Sequence, residues 1–208
     1  MKIILASDLS FLLKYGYDLT GISMPEMKIG YVTTASKGSR DRTFLEKVKS
    51  TMRENSISFE EIDIEEKSKD EMLNFFKDKN IIHVEGGNTF YLLKAIRESD
   101  FAEVLKEMLS DGKIYIGTSA GAYIMCPNIE VANWNETGRD RFGLTDFSAL
   151  NYVSFVLKVH YKDEAENLVK EKMKTLKYPL RILRDGQGIL VEDNKNTFFG
   201  DELEVNFK

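Results

Sequence analysis

At 208 residues, with 42% apolar and 30% charged side chains, the chain is long enough to bury its own core as a single domain over 1–208, and its composition is that of globular rather than disordered proteins. A formal charge of −5, from 29 basic and 34 acidic residues without a sustained basic block, argues against nucleic acid and anionic membrane surfaces as partners. The single cysteine, Cys126, excludes an internal disulfide, and two histidines are too few for a zinc-type ligand cluster, so no metal and no cofactor is expected.

The opening stretch, Met1-Lys2-Ile3-Ile4-Leu5-Ala6-Ser7-Asp8, meets polar residues too early for a signal peptide, and no later run approaches membrane-spanning length. The cytoplasm is the expected address. Lys2 to Ala6 reads as a short buried strand and Lys28 to Thr34 as a second, with Gly16, Gly21 and Pro25 limiting any helix between them. From Arg40 to Asn55, Phe44, Leu45, Val48 and Met52 fall on one helical face. Ile57 to Ile64 alternates apolar and polar residues as a strand does, and Lys69 to Lys77 reads as a short helix. Asn80 to Glu85 is the next strand, ending in Gly86-Gly87-Asn88-Thr89 ahead of a helix that carries Phe90, Leu93 and Ile96. Asp100 with Glu103 three residues on suggests a capping box opening another helix, with Phe101, Val104, Leu105, Met108 and Leu109 inward and Gly112 as its stop.

Ile114-Tyr115-Ile116 then runs into Gly117-Thr118-Ser119-Ala120-Gly121 and a following helix. This is the sequence form of a nucleophile elbow, a tight strand-to-helix turn that lifts a serine hydroxyl above a parallel sheet. Gly117 and Gly121 let neighbouring segments and a substrate approach the serine. The alternative is an ordinary glycine-containing junction with an incidental serine. Repeated strand-helix units of this length predict an α/β fold, a parallel sheet covered on both faces, with ligands at the carboxyl ends of its strands. Both glycine-bearing junctions, after Glu85 and after Ile116, fall at such ends.

Beyond Pro127 the chain is polar and turn-rich to about Ser148, carrying Trp134, Asn135, Glu136, Asp140 and Gly143. A connection this long inside a compact domain points to a functional loop. Val153 to Val159 reads as a strand leading into His160-Tyr161. Glu164 to Leu176 reads as a helix with Ala165, Leu168, Val169, Met173 and Leu176 on one side. Closing strands are expected at Leu180 to Leu183, Gly188 to Val191 and Thr197 to Phe199.

A serine hydroxyl becomes a nucleophile only with a base, an acid that orients the base, and donors for the oxyanion. His83 lies inside an apolar strand and reads as a packed residue, whereas His160 stands at a strand end, where a base belongs. The amide after the nucleophile, Ala120, is one oxyanion donor, and the Gly86-Gly87-Asn88 turn offers a second. Asn88 also reads as a helix N-cap. Spacing leaves the acid open among Glu136, Asp140, Asp146 and Asp185, the last in an Asp-Gly pair that also reads as a hairpin turn. Cys126, beyond the elbow, is expected to be packed.

Taken together, Val84-Glu85-Gly86-Gly87-Asn88-Thr89-Phe90, Tyr115-Ile116-Gly117-Thr118-Ser119-Ala120-Gly121-Ala122, His160-Tyr161 and Leu183-Arg184-Asp185-Gly186 resemble, in order, the landmarks of the peptidase E family of serine peptidases, which includes α-aspartyl dipeptidase and has cyanophycinase as a more distant relative. The resemblance implies a three-layer fold like that of class I glutamine amidotransferases (flavodoxin-like), a Ser-His-acid triad and cleavage of very small peptides. It matches Ser119 to the nucleophile, His160 to the base, Gly87 to an oxyanion donor and Asp185 to the position of the acid, which is commonly Glu in the family. Asn88, Trp134 and Glu136 are the candidate substrate-binding residues. No counterpart of the arginine that reads a substrate aspartate is placed, and Lys162, Lys170 and Arg139 are the cations that could substitute. The expected partner is a small peptide substrate, and the expected assembly a monomer or homodimer. Competing readings are a serine esterase or amidase of the α/β-hydrolase kind, whose chain order of Ser, acid, His does not suit an acid after His160, and a ligand-binding relative that does not turn over.

Overall fold

A computed structural model describes residues 1–134, 140–193 and 195–207. Strand β1 (Lys2–Ala6) leads into α1 (Leu9–Phe11), a π-helical turn (Leu12–Gly16) and α2 (Tyr17–Thr20). Then come β2 (Ile29–Val32), a 3₁₀ turn (Thr34–Gly38), α3 (Thr43–Glu54), β3 (Phe59–Ile62), α4 (Lys69–Phe76) and β4 (Ile81–Val84). Helices α5 (Thr89–Glu98) and α6 (Phe101–Ser110) precede β5 (Ile114–Thr118) and the short α7 (Ala120–Tyr123). The chain closes through β6 (Val156–Lys158), α8 (Glu166–Met173), β7 (Leu180–Ile182), β8 (Gly188–Glu192) and β9 (Lys195–Phe199).

The main sheet has the order β3-β2-β4-β5-β1-β8-β9. Its first five strands run parallel. Strands buried on both faces need unbroken apolar runs, and β1, β4 and β5 have them, with Ile3–Ala6, Ile81, Ile82, Val84, Tyr115 and Ile116 all sealed from solvent. Edge strand β3 exposes Glu60 and Glu61, charges that discourage a further strand from pairing there. One face carries α1 to α3 through Phe11, Leu12, Tyr17 and Met52, and the other carries α4 to α7 through Met72, Phe76, Phe90, Leu93, Val104 and Leu105. The result is the expected three-layer α/β sandwich.

The closing strands depart from the all-parallel expectation. β8 reaches the sheet from its carboxyl edge, so it starts where β1 ends, Gly188 opposite Ala6, and has to run antiparallel. β9 follows by a tight hairpin and is antiparallel for the same reason. β6 and β7 form a separate two-stranded parallel sheet around α8, with Lys158 beside Ile182. The Asp185 turn therefore links two sheets and is not a hairpin. Two further expectations fail locally. Asp100 makes no side-chain cap, and the capping box forms instead at Ser68 and Glu71, whose side chains each bond the other's backbone N–H. Leu168 is exposed, and Val169 is the residue that α8 buries.

Gly117 and Gly121 sit where β4, β5 and α7 touch. A Cβ on Gly121 would collide with the Val84 carbonyl, and one on Gly117 with the Gly121 backbone. In an ordinary helix Gly→Ala is favourable by roughly 0.5–1 kcal/mol. Here backbone would have to move against backbone, so Gly121→Ala is expected to destabilise by about 1–3 kcal/mol, read as a lowered urea midpoint.

Candidate active site

Thr118 ends β5 with its neighbours β1 and β4 in register, Ala6 opposite Thr118 and Val84 opposite Gly117. The next residue, Ser119, takes φ 48° and ψ −105°, a conformation that costs a non-glycine residue on the order of 1–3 kcal/mol. Bonds on both sides hold it there. Its N–H donates to the Ala6 carbonyl at 3.0 Å, and its own carbonyl accepts the Ala122 and Tyr123 amides at 3.0 Å. Underneath, the buried Tyr115 hydroxyl donates to the Gly121 carbonyl at 2.7 Å, fixing the start of α7. The Gly-x-Ser-x-Gly stretch is thus an elbow in geometry as well as in sequence.

The small sheet supplies the partners. His160 stands just beyond β6 and Asp185 just beyond β7, so two adjacent parallel strands deliver them side by side. His160 Nε2 lies 3.0 Å from Ser119 Oγ, and His160 Nδ1 lies 2.5 Å from Asp185 Oδ1. The hydrogen bond to His160, ahead of an opposing effect of burial, holds the Asp185 carboxyl below its ordinary range. It is therefore ionised at neutral pH. An acceptor-only carboxylate requires the proton on Nδ1, which leaves Nε2 to accept from the serine hydroxyl. The one-methylene shortening relative to Glu does not keep Asp185 from the imidazole. His160 and Asp185 side chains are 41% and 53% exposed, so the constellation opens to solvent.

Two residues at the end of β1 complete the support. Ser7 Oγ donates to Asp185 Oδ1 at 3.0 Å and accepts the His160 N–H at 3.0 Å, while His160 itself has a positive φ of 53°. Asp8 Oδ1 accepts the Gly186 amide at 3.0 Å, tying the Asp185 turn to the main sheet. Neither was singled out from the sequence. The signal was available, since both stand at a strand's carboxyl end, where ligands gather in open α/β sheets.

Across the elbow, the turn after β4 is wound so that successive amides point different ways. The Gly86 N–H donates to Glu85 Oε1 at 2.6 Å, and the Asn88 N–H donates to the Ala35 carbonyl at 2.9 Å. Gly87 lies between them at φ 143°, with no room for a Cβ against Ala35. The Gly87 and Ala120 amides make no hydrogen bond among the described residues. Beside Ser119 is a cavity of about 310 Å³, bounded by Leu9, Phe44 and Val48 and by the polar residues Ser7, Asp8, Glu85 and His160.

The remaining expectations sort clearly. Asn88 Oδ1 caps α5 by accepting the Tyr91 amide at 2.9 Å, and neither Asn88 nor Trp134 lines the cavity. Trp134 is half-buried against Tyr161, Val169 and Ile182. Glu136 and Arg139 lie outside the described residues. Asp140 accepts the Phe142 and Leu144 amides within its own loop, and Asp146 pairs with Arg97, so among the described carboxylates it is Asp185 that meets His160. Lys170 is paired with Glu166, and Lys162 is exposed on the Asp185 side. Cys126 is fully buried, and burial pushes its thiol pKa up.

His83 is packed, as its apolar strand suggests. It is fully buried, and that burial lowers its pKa to about 4. Unfolded, an imidazole takes its proton below about pH 6.5, whereas this one resists until about 4 in the folded protein. Its contribution is fully present above 6.5 and is lost as pH falls toward 4, which removes about 2 kcal/mol between pH 7 and 5. Urea unfolding at a series of pH values checks the loss, and with only two histidines an NMR titration assigns it.

A mostly parallel α/β sandwich with a serine elbow, a histidine and a carboxylate at one sheet edge has the build of a serine hydrolase. Comparison with known proteins narrows the class. The model of Peptidase family S51 matches residues 14–199, and the chain belongs to that family. It is a serine-type peptidase. An uncharacterized peptidase of Pasteurella multocida is 28% identical over 205 residues, covering 96% of this chain and 98% of that one. Peptidase E of a Nostoc species is 29% identical over 134 residues, covering 64% of this chain and 52% of that one. Among solved structures, a candidate peptidase E protein of Listeria monocytogenes EGD-e superposes with a TM-score of 0.83 at 23% identity, over 97% of this chain and 98% of that one. A peptidase from an acI-B1 Actinobacterium gives 0.65 at 13% identity, over 99% and 96%. At these identities the structural likeness speaks for the fold.

Proposed function

We propose that the protein hydrolyses the peptide bond of dipeptide-sized substrates through a Ser119-His160-Asp185 triad and an acyl-enzyme. The observation that carries this reading is the continuous chain of contacts from Asp185 Oδ1 to His160 Nδ1 and from His160 Nε2 to Ser119 Oγ. His160 takes the serine proton as Oγ bonds to the scissile carbonyl carbon. The Gly87 and Ala120 amides, which have no other acceptor among the described residues, donate to the oxyanion. When the C–N bond breaks, His160 returns the proton to the leaving amine. Water then attacks the ester with the same histidine as base, releasing the acid and restoring Ser119.

The cavity favours small substrates, since about 310 Å³ lies at the lower end of the range of ligand pockets, about 300–1,000 Å³. It presents the carboxylate of Asp8 and, among the described residues, no lysine or arginine. A substrate with N-terminal Asp would bring a second carboxylate beside it, and like charges in contact are costly. A panel of dipeptides differing at the first residue tests both points. Ser119-dependent release is expected, with neutral first residues favoured over Asp by at least about tenfold in kcat/KM, a difference of about 1.4 kcal/mol. Failure of a serine-reactive phosphonate to label Ser119 in folded protein would count against the mechanism, whereas a preference for Asp would overturn the specificity alone.

A further inference from the structure

Glu85 is a buried carboxylate, 5% exposed, that the proposed reaction leaves without a task. Three donors converge on it. Oε1 accepts the Gly86 amide at 2.6 Å and the Thr118 hydroxyl at 2.8 Å, and Oε2 accepts the Tyr31 hydroxyl at 2.5 Å. One oxygen atom therefore bridges the first residue of the glycine turn and the residue immediately before Ser119. The two segments are already close, since a Cβ on Gly86 would lie 3.1 Å from the Ser119 Cβ.

The consequence concerns which amide faces the serine. A turn with two successive glycines has no side chains to select one peptide orientation over another. Here Glu85 captures the Gly86 N–H and the Ala35 carbonyl captures the Asn88 N–H, leaving the Gly87 N–H as the unclaimed donor between them. We infer that Glu85 is a positioning residue: its Oε1 locks the Gly86-Gly87 turn to the Thr118-Ser119 elbow and presents the Gly87 amide to the oxyanion. This rests on the serine mechanism proposed above. It makes the role of Glu85 one of reach and hydrogen bonding rather than charge. A glutamine can keep its oxygen on Gly86 and Thr118 and offer its NH₂ to the Tyr31 oxygen, which accepts as well as donates. An aspartate keeps the charge but stops one methylene short.

The test is the pair Glu85→Gln and Glu85→Asp, each checked for folding by thermal unfolding and assayed with the best dipeptide of the panel. Glu85→Gln is expected within about tenfold of wild-type kcat, whereas Glu85→Asp is expected to lose about 10² to 10³, the size of losing one oxyanion donor, with KM changed by less than about threefold. The reverse order, or equal kcat in all three proteins, would overturn the inference. A separate readout uses ¹⁵N-resolved spectra of the Gly86 amide, expected to shift and lose exchange protection in Glu85→Asp and to hold both in Glu85→Gln. An unmoved amide in both variants overturns the inference even if no peptide is turned over. Absence of Ser119 labelling in the wild type is what would overturn the serine mechanism instead.

Discussion

Under the proposed mechanism Ser119→Ala is expected to lower kcat on the dipeptide panel by about 10⁴ to 10⁶, because triad members act as a unit and loss of the nucleophile removes the acyl-enzyme route altogether. The residual rate would come from binding and the oxyanion donors, which alanine leaves in place. Nothing else in the fold depends heavily on the hydroxyl. Ser119 is held by its backbone, through Ala6, Ala122 and Tyr123, and among the described residues its Oγ hydrogen-bonds only to His160. The variant should therefore fold normally and is compared with wild type at full occupancy of the folded state. Alanine at φ 48° bears the same strain as serine, so thermal unfolding should move by no more than about 1 kcal/mol equivalent. Turnover unchanged in a properly folded Ser119→Ala protein would remove the serine from the reaction and leave the elbow as architecture.

β1, β4 and β5 were legible in the sequence because a strand buried on both faces has to be an unbroken apolar run, and the elbow was legible because close packing of α7 on β4 admits only glycine at 121. His160 could be separated from His83 because one follows a strand and the other lies within one. The choice of acid could not be made from spacing. Asp140, Asp146 and Asp185 all sit in turns, and what distinguishes Asp185 is that β7 pairs with β6 in parallel, a contact between segments more than twenty residues apart. The same long-range pairing brings Ser7 to Asp185 from the opposite end of the chain. Local patterns also misled where two chemistries share one signature. Asp100 with Glu103 resembles a capping box as closely as Ser68 with Glu71 does, yet the Asp100 oxygen that the helix uses is its backbone carbonyl.

Asp185→Asn is the sharper test of the mechanism because it changes the proton arrangement and little else. The carboxylate is acceptor-only, and at 2.5 Å from Nδ1 it keeps the imidazole proton on that nitrogen. An amide can turn its NH₂ toward Nδ1, which moves the proton to Nε2 and leaves no acceptor for the serine hydroxyl. Ser7 Oγ donates to the same Oδ1, so an asparagine NH₂ in that position also requires the Ser7 hydroxyl to turn and accept from it. A loss of about 10⁴ in kcat is expected, the size seen when a triad acid is replaced by its amide, with substrate affinity nearly unchanged. Asp185→Ala should lose a similar factor and also free the ring to rotate. Asp140→Ala, which removes a carboxylate engaged with its own loop, should stay within about tenfold of wild type, since it touches no member of the triad. The low pKa of Asp185 adds a pH signature. The hydrogen bond from His160 keeps the carboxyl ionised below its ordinary range, so its orienting role is complete at neutral pH and is lost only as pH falls beneath the ordinary carboxylate range. Wild-type activity followed against pH should therefore keep the contribution of the Asp185 carboxylate down to the ordinary carboxylate range. An Asp140→Ala loss exceeding that of Asp185→Ala would assign the acid to the loop instead.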